Sequence, residues 1–242
     1  MARIVIVTGA GGGLGRALVR AVARRGDLAV AFGRDASRLA ETGTGLDDSS
    51  FMPVIVDAAD FDGIGSAVEQ VVAVHGQIDA LFANAATYPR VSLLKQPPEE
   101  WMDVLRLNVG GVAAACRAVL PAMMRRASGR ILIVGSFADI APIPDSSAYS
   151  ASKGALHALS KAIAIEVGSD YPDILVNEWV PGSLRTGMGI PTGIDPDVAA
   201  GWGVALLDQP PGGPTGRIFD RNWLVEPPRS LKQRVLAKVG LR

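Results

Sequence analysis

The chain alternates between short apolar runs and longer amphipathic stretches. The short runs have the length and composition of strands that are buried on both faces, and they lie at Arg3–Thr8, Leu28–Gly33, Met52–Val56, Ile78–Ala83, Arg130–Gly135 and Ile174–Val180. The longer stretches carry Ala, Leu and Val at helical spacing, and they span Gly13–Arg25, Asp60–His75, Trp101–Arg126 and Ser147–Gly168. Strands that alternate with helices predict an α/β protein with a doubly wound parallel sheet and helices on both faces.

A length of 242 residues suits a single domain of this kind. We expect a Rossmann fold with a parallel sheet of about seven strands. Residues 183–215 are rich in Pro and Gly and are expected to form a variable loop region over the site. Residues 216–242 carry a strand-like "GRIFD" and a basic helix pattern, "SLKQRVLAKVGL", which is too little for a second domain.

Composition excludes several classes of partner. Lys plus Arg and Asp plus Glu number 24 each, so there is no excess of positive charge for nucleic acid or an anionic membrane. Cys116 is the only cysteine, so neither an intramolecular disulfide nor a cysteine-based metal site is expected. The apolar start lacks the pattern of a signal peptide, and the charge-free stretches are shorter than the roughly 20 residues of a membrane span. We therefore expect a cytoplasmic protein with no metal.

The stretch "IVIVTGAGGGLGRAL" reads as a strand, a glycine-rich turn and the start of a helix. Glycines at Gly9, Gly13 and Gly15 let the backbone turn tightly and approach a pyrophosphate. The helix N-terminus offers free N–H groups and partial positive charge to the same anion. This order favours a dinucleotide site over a simple turn.

A second pattern places Tyr149 and Lys153 four residues apart, on one face of a helix. By itself the spacing is equally compatible with a surface lysine beside a half-buried ring. Other motifs decide between these interpretations. Thr8-Gly9, Gly13 and Gly15 are followed in chain order by Asp57, "ANAA" at 83–86, Asn108, Ser136, Tyr149, Lys153 and "PGSLRT" at 181–186.

This ordered set resembles the classical branch of the short-chain dehydrogenase/reductase family over roughly residues 3 to 186. The resemblance implies that Ser136, Tyr149, Lys153 and Asn108 are catalytic. In such a site the serine bonds the substrate oxygen, the lysine also holds the nicotinamide ribose, and the asparagine orders a water that relays protons. Alternatively, Ser136 caps a strand end and Asn108 marks a kink in a helix.

The tyrosine requires help because an unperturbed phenol has a pKa near 10. Lowering that pKa by about two units takes about 2.7 kcal/mol, which a lysine and an oxidised nicotinamide ring together provide. We therefore expect Lys153 and the oxidised nicotinamide ring together to lower the pKa of Tyr149.

The resemblance also implies a set of cofactor contacts: Thr8, Gly9, Gly13, Leu14, Gly15, Arg34, Asp57, Asn84, Tyr149, Lys153, Pro181, Gly182, Leu184 and Thr186. Gly33 stands where NAD-preferring members carry an acidic residue, and Arg34 follows it. A guanidinium without a competing carboxylate favours NADP(H), although NAD(H) is possible, because Gly12 replaces a second basic residue and Arg34 could instead stack on the adenine. Asp57 either contacts the adenine amine or caps the helix near Asp60.

The chain departs from the family pattern at several positions. "ANAA" lacks one asparagine and the closing glycine of the family stretch, and Gly135 replaces a serine that often precedes the catalytic one. The family's frequent C-terminal Val-Asp-Gly-Gly is also missing. We expect the strand–turn geometry at "ANAA" to survive with altered adenosine contacts, and the change at Gly135 to alter local rigidity.

The resemblance predicts an NADP(H)-dependent oxidoreductase that transfers hydride between nicotinamide and a carbonyl or secondary alcohol. A small apolar substrate is suggested by a set of apolar residues near the expected site: Phe137, Ile140, Met188, Ile190 and Trp202. A non-catalytic NADP-sensing or scaffold protein and a dehydratase or epimerase are the alternatives. A homotetramer or homodimer is expected, joined through Trp101–Arg126 and Ser147–Gly168.

Overall fold

The computed structural model describes residues 2–226, which form one sheet of eight strands. The strands are β1 (Ile4–Thr8), β2 (Leu28–Gly33), β3 (Phe51–Ile55), β4 (Ala80–Ala83), β5 (Gly129–Val134), β6 (Ile174–Val180), β7 (Ile218–Asp220) and β8 (Trp223–Leu224). Their order is β3-β2-β1-β4-β5-β6-β7-β8, and every neighbouring pair is parallel except β7 and β8. Strand order reverses between β1 and β4, so the crevice at their carboxyl ends is where a ligand binds in such sheets.

Helices cover both faces of the sheet. They are α1 (Gly13–Arg24), α2 (Ala36–Gly43), α3 (Phe61–His75), α4 (Pro98–Leu105), α5 (Val112–Arg126), α6 (Ser147–Gly168) and α7 (Pro196–Ala205). One core joins the sheet to α3, α5 and α6, and the other joins it to α1, α2 and α7. Strands β1, β4 and β6 are buried along their whole length because both cores cover them, which confirms the doubly wound α/β prediction.

The predicted helix over Trp101–Arg126 is wrong as a continuous α-helix. A π-helical stretch, Arg106–Gly111, separates α4 from α5, and Gly111 comes so close to the chain at Ala58 that an added Cβ would lie 2.5 Å from the Ala58 carbonyl oxygen. By length and hydropathy the run Pro98–Arg126 could cross a membrane, although its charge-free stretches are short, as expected. In the structure α5 packs against α3 and against strands β4 and β5, as a core helix does.

The pattern of apolar residues missed α2, α7 and β8. Helix α2 has eight residues and begins at an Asp35 cap, whose side chain accepts a hydrogen bond from the Arg38 N–H. Strand β8 is only two residues long and follows a turn at Arg221, where φ is 57°. The "GRIFD" segment does contain strand β7, whereas the basic helix pattern at 230–241 lies outside the described residues.

Candidate active site

The turn between β1 and α1 leaves no room for side chains at its glycines. A Cβ added to Gly15 would lie 2.1 Å from the carbonyl oxygen of Gly9, and one added to Gly9 would lie 2.9 Å from Ala85 Cα. Gly9 and Gly13 also have positive φ values of 67° and 51°, which glycine adopts without strain. This cradle at a helix N-terminus fits the pyrophosphate of a dinucleotide. The side chain of Leu14 is buried in the core, so only its backbone faces this anion site.

Thr8 and Asn84 join the ends of β1 and β4. The Asn84 amide Nδ2 donates to the carbonyl oxygen of Thr8 at 2.8 Å, and the Thr8 hydroxyl accepts from the backbone N–H groups of Asn84 and Ala85, both at 3.0 Å. These bonds hold the strand ends together although the family's second asparagine is absent. The expected survival of this turn geometry agrees with the structure.

Two basic side chains lie near the part of the crevice that is expected to hold the adenosine. The side chain of Arg34 is 78% exposed and stands 3.9 Å from the Asp57 carboxylate, which is too weak a contact to occupy it. Arg38 packs against the glycine turn, since a Cβ on Gly11 would lie 3.1 Å from Arg38 Cβ. The sequence analysis missed Arg38, although a second arginine four residues after Arg34 is visible in the printed sequence.

Helix α3 is capped by Asp60 and not by Asp57. The Asp60 carboxylate accepts from the Gly63 N–H, whereas Asp57 accepts from the Ala59 N–H. The capping alternative for Asp57 therefore falls away, and its second carboxylate oxygen faces the Arg34 side of the crevice.

The segment after β6 comes back to the glycine turn. Gly182 has φ 89°, and Leu184 forms an isolated β-bridge with Ile194. A Cβ added to Gly13 would lie 3.3 Å from Thr186 Cγ2, so the residue predicted to hold the nicotinamide amide lies against the residue predicted to hold the pyrophosphate. Pro181 is buried at the start of this segment. Two stretches separated by more than 160 positions in the sequence thus form one cleft.

Tyr149 and Lys153 lie on one face of α6, which packs on β6. The ammonium of Lys153 donates to the Val134 carbonyl oxygen at 2.8 Å and lies 5.5 Å from the centre of the Tyr149 ring. Burial lowers the pKa of Lys153 to about 8, and the nearby Glu178 carboxylate opposes that change. An ammonium with this pKa is close to the point where it exchanges a proton near neutral pH.

In the protein without a cofactor, the pKa of Tyr149 is raised from its ordinary value. Burial raises the pKa of Tyr149, Tyr88 raises it further, and only hydrogen bonding with Ser136 lowers it. The physical reason is that desolvation of the phenolate outweighs the help from neighbouring groups, and that Lys153 bonds the Val134 carbonyl. The lowering expected from the sequence therefore depends on positive charge that these residues do not supply.

Ser136 and Asn108 each make contacts that suit the structural roles given above as alternatives, a strand-end cap for Ser136 and a helix kink for Asn108. The Ser136 hydroxyl accepts from the Ala138 N–H at 3.1 Å while it also interacts with Tyr149. Asn108 is fully buried in the π-helical stretch, and its amide Nδ2 donates to Thr87 O and to the Ser152 hydroxyl, both at 3.0 Å. Short π-helical segments frequently occur at functional sites, so the kink and the functional role are compatible.

The sequence analysis missed other groups at this site. Tyr88 stacks on Tyr149, with ring centroids 4.5 Å apart. Glu178 and His157 make a contact behind Lys153, on the side away from Tyr149. The glutamate was visible as a charged residue within the otherwise apolar strand "ILVNEWV", whereas no local pattern singles out Tyr88.

The proposed substrate side is open and apolar in part. Ile140, Met188 and Ile190 are exposed. A guanidinium nitrogen of Arg90 donates to the carbonyl oxygens of Met188 and Gly189, at 2.8 and 2.6 Å, and so ties this loop to the segment after β4. Trp202 differs from the others because it packs against the core beside α1, with the Arg221 guanidinium 5.9 Å from its ring.

Comparison with known proteins gives a consistent family assignment. The family model described as short chain dehydrogenase matches residues 3–196. The 3-oxoacyl-acyl-carrier-protein reductase FabG of Escherichia coli is 32% identical over 216 residues, which cover 88% of this chain and 84% of that protein. The 2-(R)-hydroxypropyl-CoM dehydrogenase of Xanthobacter autotrophicus is 34% identical over 194 residues, with 78% and 77% of the two chains covered.

Solved structures show the same fold. L-Sorbose reductase from Gluconobacter frateurii, solved with NADPH and L-sorbose, superimposes with a TM-score of 0.83 at 25% identity and covers 90% of this chain and 94% of its own. A short-chain dehydrogenase from Streptomyces avermitilis gives a TM-score of 0.80 at 29% identity, with 91% and 88% covered.

Proposed function

The chain belongs to the short-chain dehydrogenase/reductase family of oxidoreductases, and from this we propose that it uses NADP(H) to reduce the carbonyl group of a small apolar substrate. The observation that carries the proposal is the arrangement of Ser136, Tyr149 and Lys153 beside the glycine cradle. Tyr149 interacts with Ser136, and Lys153 lies one helical turn away with its ammonium buried. Several polar groups converge at this place, and such a convergence is typical of an active site.

Each side chain has a distinct task in the proposed reaction. A dinucleotide held at Gly9, Gly13 and Gly15 would supply the hydride for this reduction. The Tyr149 hydroxyl donates its proton to the substrate oxygen, and the Ser136 hydroxyl donates a hydrogen bond that stabilises the charge developing on that oxygen. Lys153 has ammonium protons free besides the one bonded to Val134 O, and these favour the phenolate of Tyr149 as its proton leaves.

The adenosine end supports a preference for NADP(H). Arg34 is exposed, and among residues 2–226 its ion-pair partner is Asp57 at 3.9 Å, while Arg38 packs beside the glycine turn. Asp35 lies between these arginines in the sequence, but its carboxylate is engaged with the Arg38 N–H and the Ser37 hydroxyl at the start of α2. Two guanidinium groups at this edge suit the dianionic 2′-phosphate that distinguishes NADP from NAD.

The remaining proposals concern the substrate and the assembly. Residues 183–215 form the substrate loop in this proposal, with α7 anchoring it against α1. Exposed apolar residues at Ile140, Met188 and Ile190 favour an uncharged substrate. We also propose a cytoplasmic homodimer or homotetramer joined through α4, α5 and α6, without nucleic acid or membrane partners.

Fluorescence titration of the purified protein with NADPH and NADH tests the cofactor, and NADPH oxidation against ketones, aldehydes and quinones tests the reaction. We expect tighter binding of NADPH and turnover with at least one apolar carbonyl compound. Tight binding without turnover of any compound would contradict the reductase proposal and favour a sensor. Equal affinity for both cofactors would contradict the NADP preference.

A further inference from the structure

Helix α6 presents a third polar residue in line with the two at the proposed active site. Tyr149, Lys153 and His157 follow one another at intervals of four residues, so they lie along one face of the helix. Only the first two belong to the family pattern described above. His157 is mostly buried, since 17% of its side chain is exposed. Its ring lies between two carboxylates.

The two carboxylates come from different elements. Nδ1 of His157 forms a hydrogen bond with Glu178 in β6. Nε2 lies 2.8 Å from Asp139 Oδ2, in the segment that follows Ser136. This second contact is not a hydrogen bond, and Nε2 has no hydrogen-bond partner within residues 2–226. The cluster of Asp139, His157 and Glu178 thus runs from a partly exposed residue to the centre of the sheet.

Glu178 is a charged residue with no exposed surface at all. Its carboxylate lies beside Gly135, where a Cβ on that residue would be 1.9 Å from Glu178 Oε1. Gly135 is therefore the residue that leaves room for this side chain. The family pattern often has serine at this position, and a serine Cβ would collide with the carboxylate. The departure at Gly135 and the glutamate at Glu178 are thus explained together.

The position of Glu178 requires a compensating charge. Within residues 2–226, Oε1 of Glu178 has no hydrogen-bond partner, and an uncompensated carboxylate at such a depth is strongly destabilising. Lys153 is a nearby cation: its ammonium bonds the carbonyl of Val134, and the next residue, Gly135, packs against Glu178. Burial lowers the pKa of Lys153 and raises the pKa of Glu178, and each group opposes the effect of burial on the other.

We propose that Glu178, oriented by His157, is a positioning residue that keeps the ammonium of Lys153 charged and in place beneath Tyr149. This inference deepens the proposed function, because it assigns a new residue to the same site. The mechanism needs a protonated lysine in a buried environment, and burial alone opposes that state. A second buried charge of opposite sign offsets the desolvation, and His157 in turn supports the ionised form of Glu178.

The other titratable groups around Lys153 come from four parts of the chain. Tyr149 and His157 come from α6, Glu178 from β6, Asp139 from the segment after β5 and Tyr88 from the segment after β4. Of these groups, Glu178 is the carboxylate that raises the pKa of Lys153. The proposal therefore makes a specific prediction for the removal of this one charge.

The test measures Lys153 directly and without turnover. The chain has five lysines, so labelling with [ε-13C]-lysine gives a small set of NMR signals, and Lys153→Arg identifies the one that belongs to Lys153. In the full-length, cofactor-free protein we expect Lys153 to titrate about one pH unit lower in Glu178→Gln than in the unaltered protein. Glu166→Gln is the matched control, because Glu166 is an exposed carboxylate on the same helix.

A second variant separates an electrostatic role from a structural one. His157→Asn is expected to shift the Lys153 titration in the same direction as Glu178→Gln, because Glu178 loses the partner that favours its charge. If Glu178→Gln does not fold, Gly135→Ala combined with Glu178→Ala removes the charge and fills part of the space. An unchanged Lys153 titration in the folded charge-removal variant would overturn the proposal.

The pH dependence of turnover then distinguishes this proposal from the proposed function. If the protein reduces a carbonyl compound, Glu178→Gln is expected to move the alkaline loss of kcat to lower pH, whereas Glu166→Gln is expected to leave it in place. A protein that turns over no substrate, but in which Glu178→Gln shifts the Lys153 titration, would contradict the reductase function and leave the role of Glu178 supported.

Discussion

Tyr88 lies flat on Tyr149, with the two ring planes inclined by 19° and the centroids 4.5 Å apart. Tyr88 belongs to the segment after β4, and the guanidinium of Arg90 lies 5.2 Å from the centre of its ring. Arg90 also bonds the carbonyl oxygens of the loop after β6. The stacked pair thus links the proposed proton donor to both segments that border the substrate side.

Removal of Tyr88 is expected to lower the pKa of Tyr149. In Tyr88→Phe the ionisable hydroxyl is lost but the stacked ring remains, and in Tyr88→Ala water also reaches Tyr149, so the decrease should be larger. The chain has only three tyrosines, so phenolate absorbance measures this titration once Tyr149→Phe has identified the signal. Tyr171→Phe is the control, and an unchanged Tyr149 titration in both Tyr88 variants would refute the prediction.

Tyr149→Phe should abolish turnover and leave cofactor affinity almost unchanged. The substitution removes the proton donor but keeps the ring that stacks on Tyr88, so we expect a loss in kcat of at least about 100-fold. Steady-state kinetics and NADPH fluorescence titration measure the two properties separately. Substantial remaining activity would show that another group donates the proton.

Arg34→Asp should weaken NADPH much more than NADH. The change replaces a possible partner of the 2′-phosphate with a repelling charge, and a loss of about tenfold or more is expected for NADPH alone. Arg125→Asp, at the exposed end of α5, is a control for the change in net charge. A parallel decrease in affinity for both cofactors would assign Arg34 to adenine stacking instead.

Lys153→Met should remove a pH dependence from the stability of the protein. The pKa of Lys153 is lowered to about 8 from 10.5, so the native state holds this proton less tightly than the unfolded chain does. The stability of the unaltered protein therefore rises by up to about 3 kcal/mol between about pH 8 and 10.5. Because the substitution also removes the cation near the buried Glu178 carboxylate, the prediction concerns this pH trend and not the absolute stability.

Denaturant unfolding at several pH values checks this prediction. The stability of Lys153→Met relative to the unaltered protein should be highest below pH 8 and should fall by up to about 3 kcal/mol towards pH 10.5. Lys161→Met removes an exposed lysine from the same helix and should show no such trend. A difference in stability that does not change with pH would contradict the lowered pKa of Lys153.

Gly135→Ala should destabilise the protein by about 1 to 3 kcal/mol, because the new Cβ would lie 1.9 Å from the buried carboxylate of Glu178. Glu178→Ala in the same chain should recover part of that loss by removing the clashing atoms. Thermal or denaturant unfolding measures both. Gly65→Ala is the control, because an added Cβ there meets nothing within 4 Å. A Gly135→Ala protein as stable as the original would contradict the packing described for Glu178.

The core features of the fold follow from local sequence. Buried strands such as β1 and β6 are continuous apolar runs because helices cover both of their faces, and this pattern is visible without any tertiary information. The glycine turn was recognisable for a similar reason, since Gly9, Gly13 and Gly15 are needed where backbone approaches backbone. Tyr149 and Lys153 were predictable as neighbours because four residues make one helical turn.

Features that depend on contacts between distant segments were not predictable in this way. The π-helical stretch around Asn108 arises where α5 meets the chain near Ala58, and the stacking of Tyr88 joins segments about 60 residues apart. Helix α2 was missed because it is short and depends on its Asp35 cap. Contacts of this kind produce no periodic pattern of residues in the sequence.

The sequence by itself determined which fold this protein adopts and which residue types face its cleft, because periodicity and glycine spacing are local properties. Only the tertiary structure decided how easily the titratable groups in that cleft ionise. The direction in which the pKa of Tyr149 shifts depends on how completely the ring is buried. The pKa of Lys153 depends on burial and on Glu178, a residue 25 positions away on the strand against which α6 packs. Burial and the distance between charges are set by packing, and both decide how easily a buried group ionises.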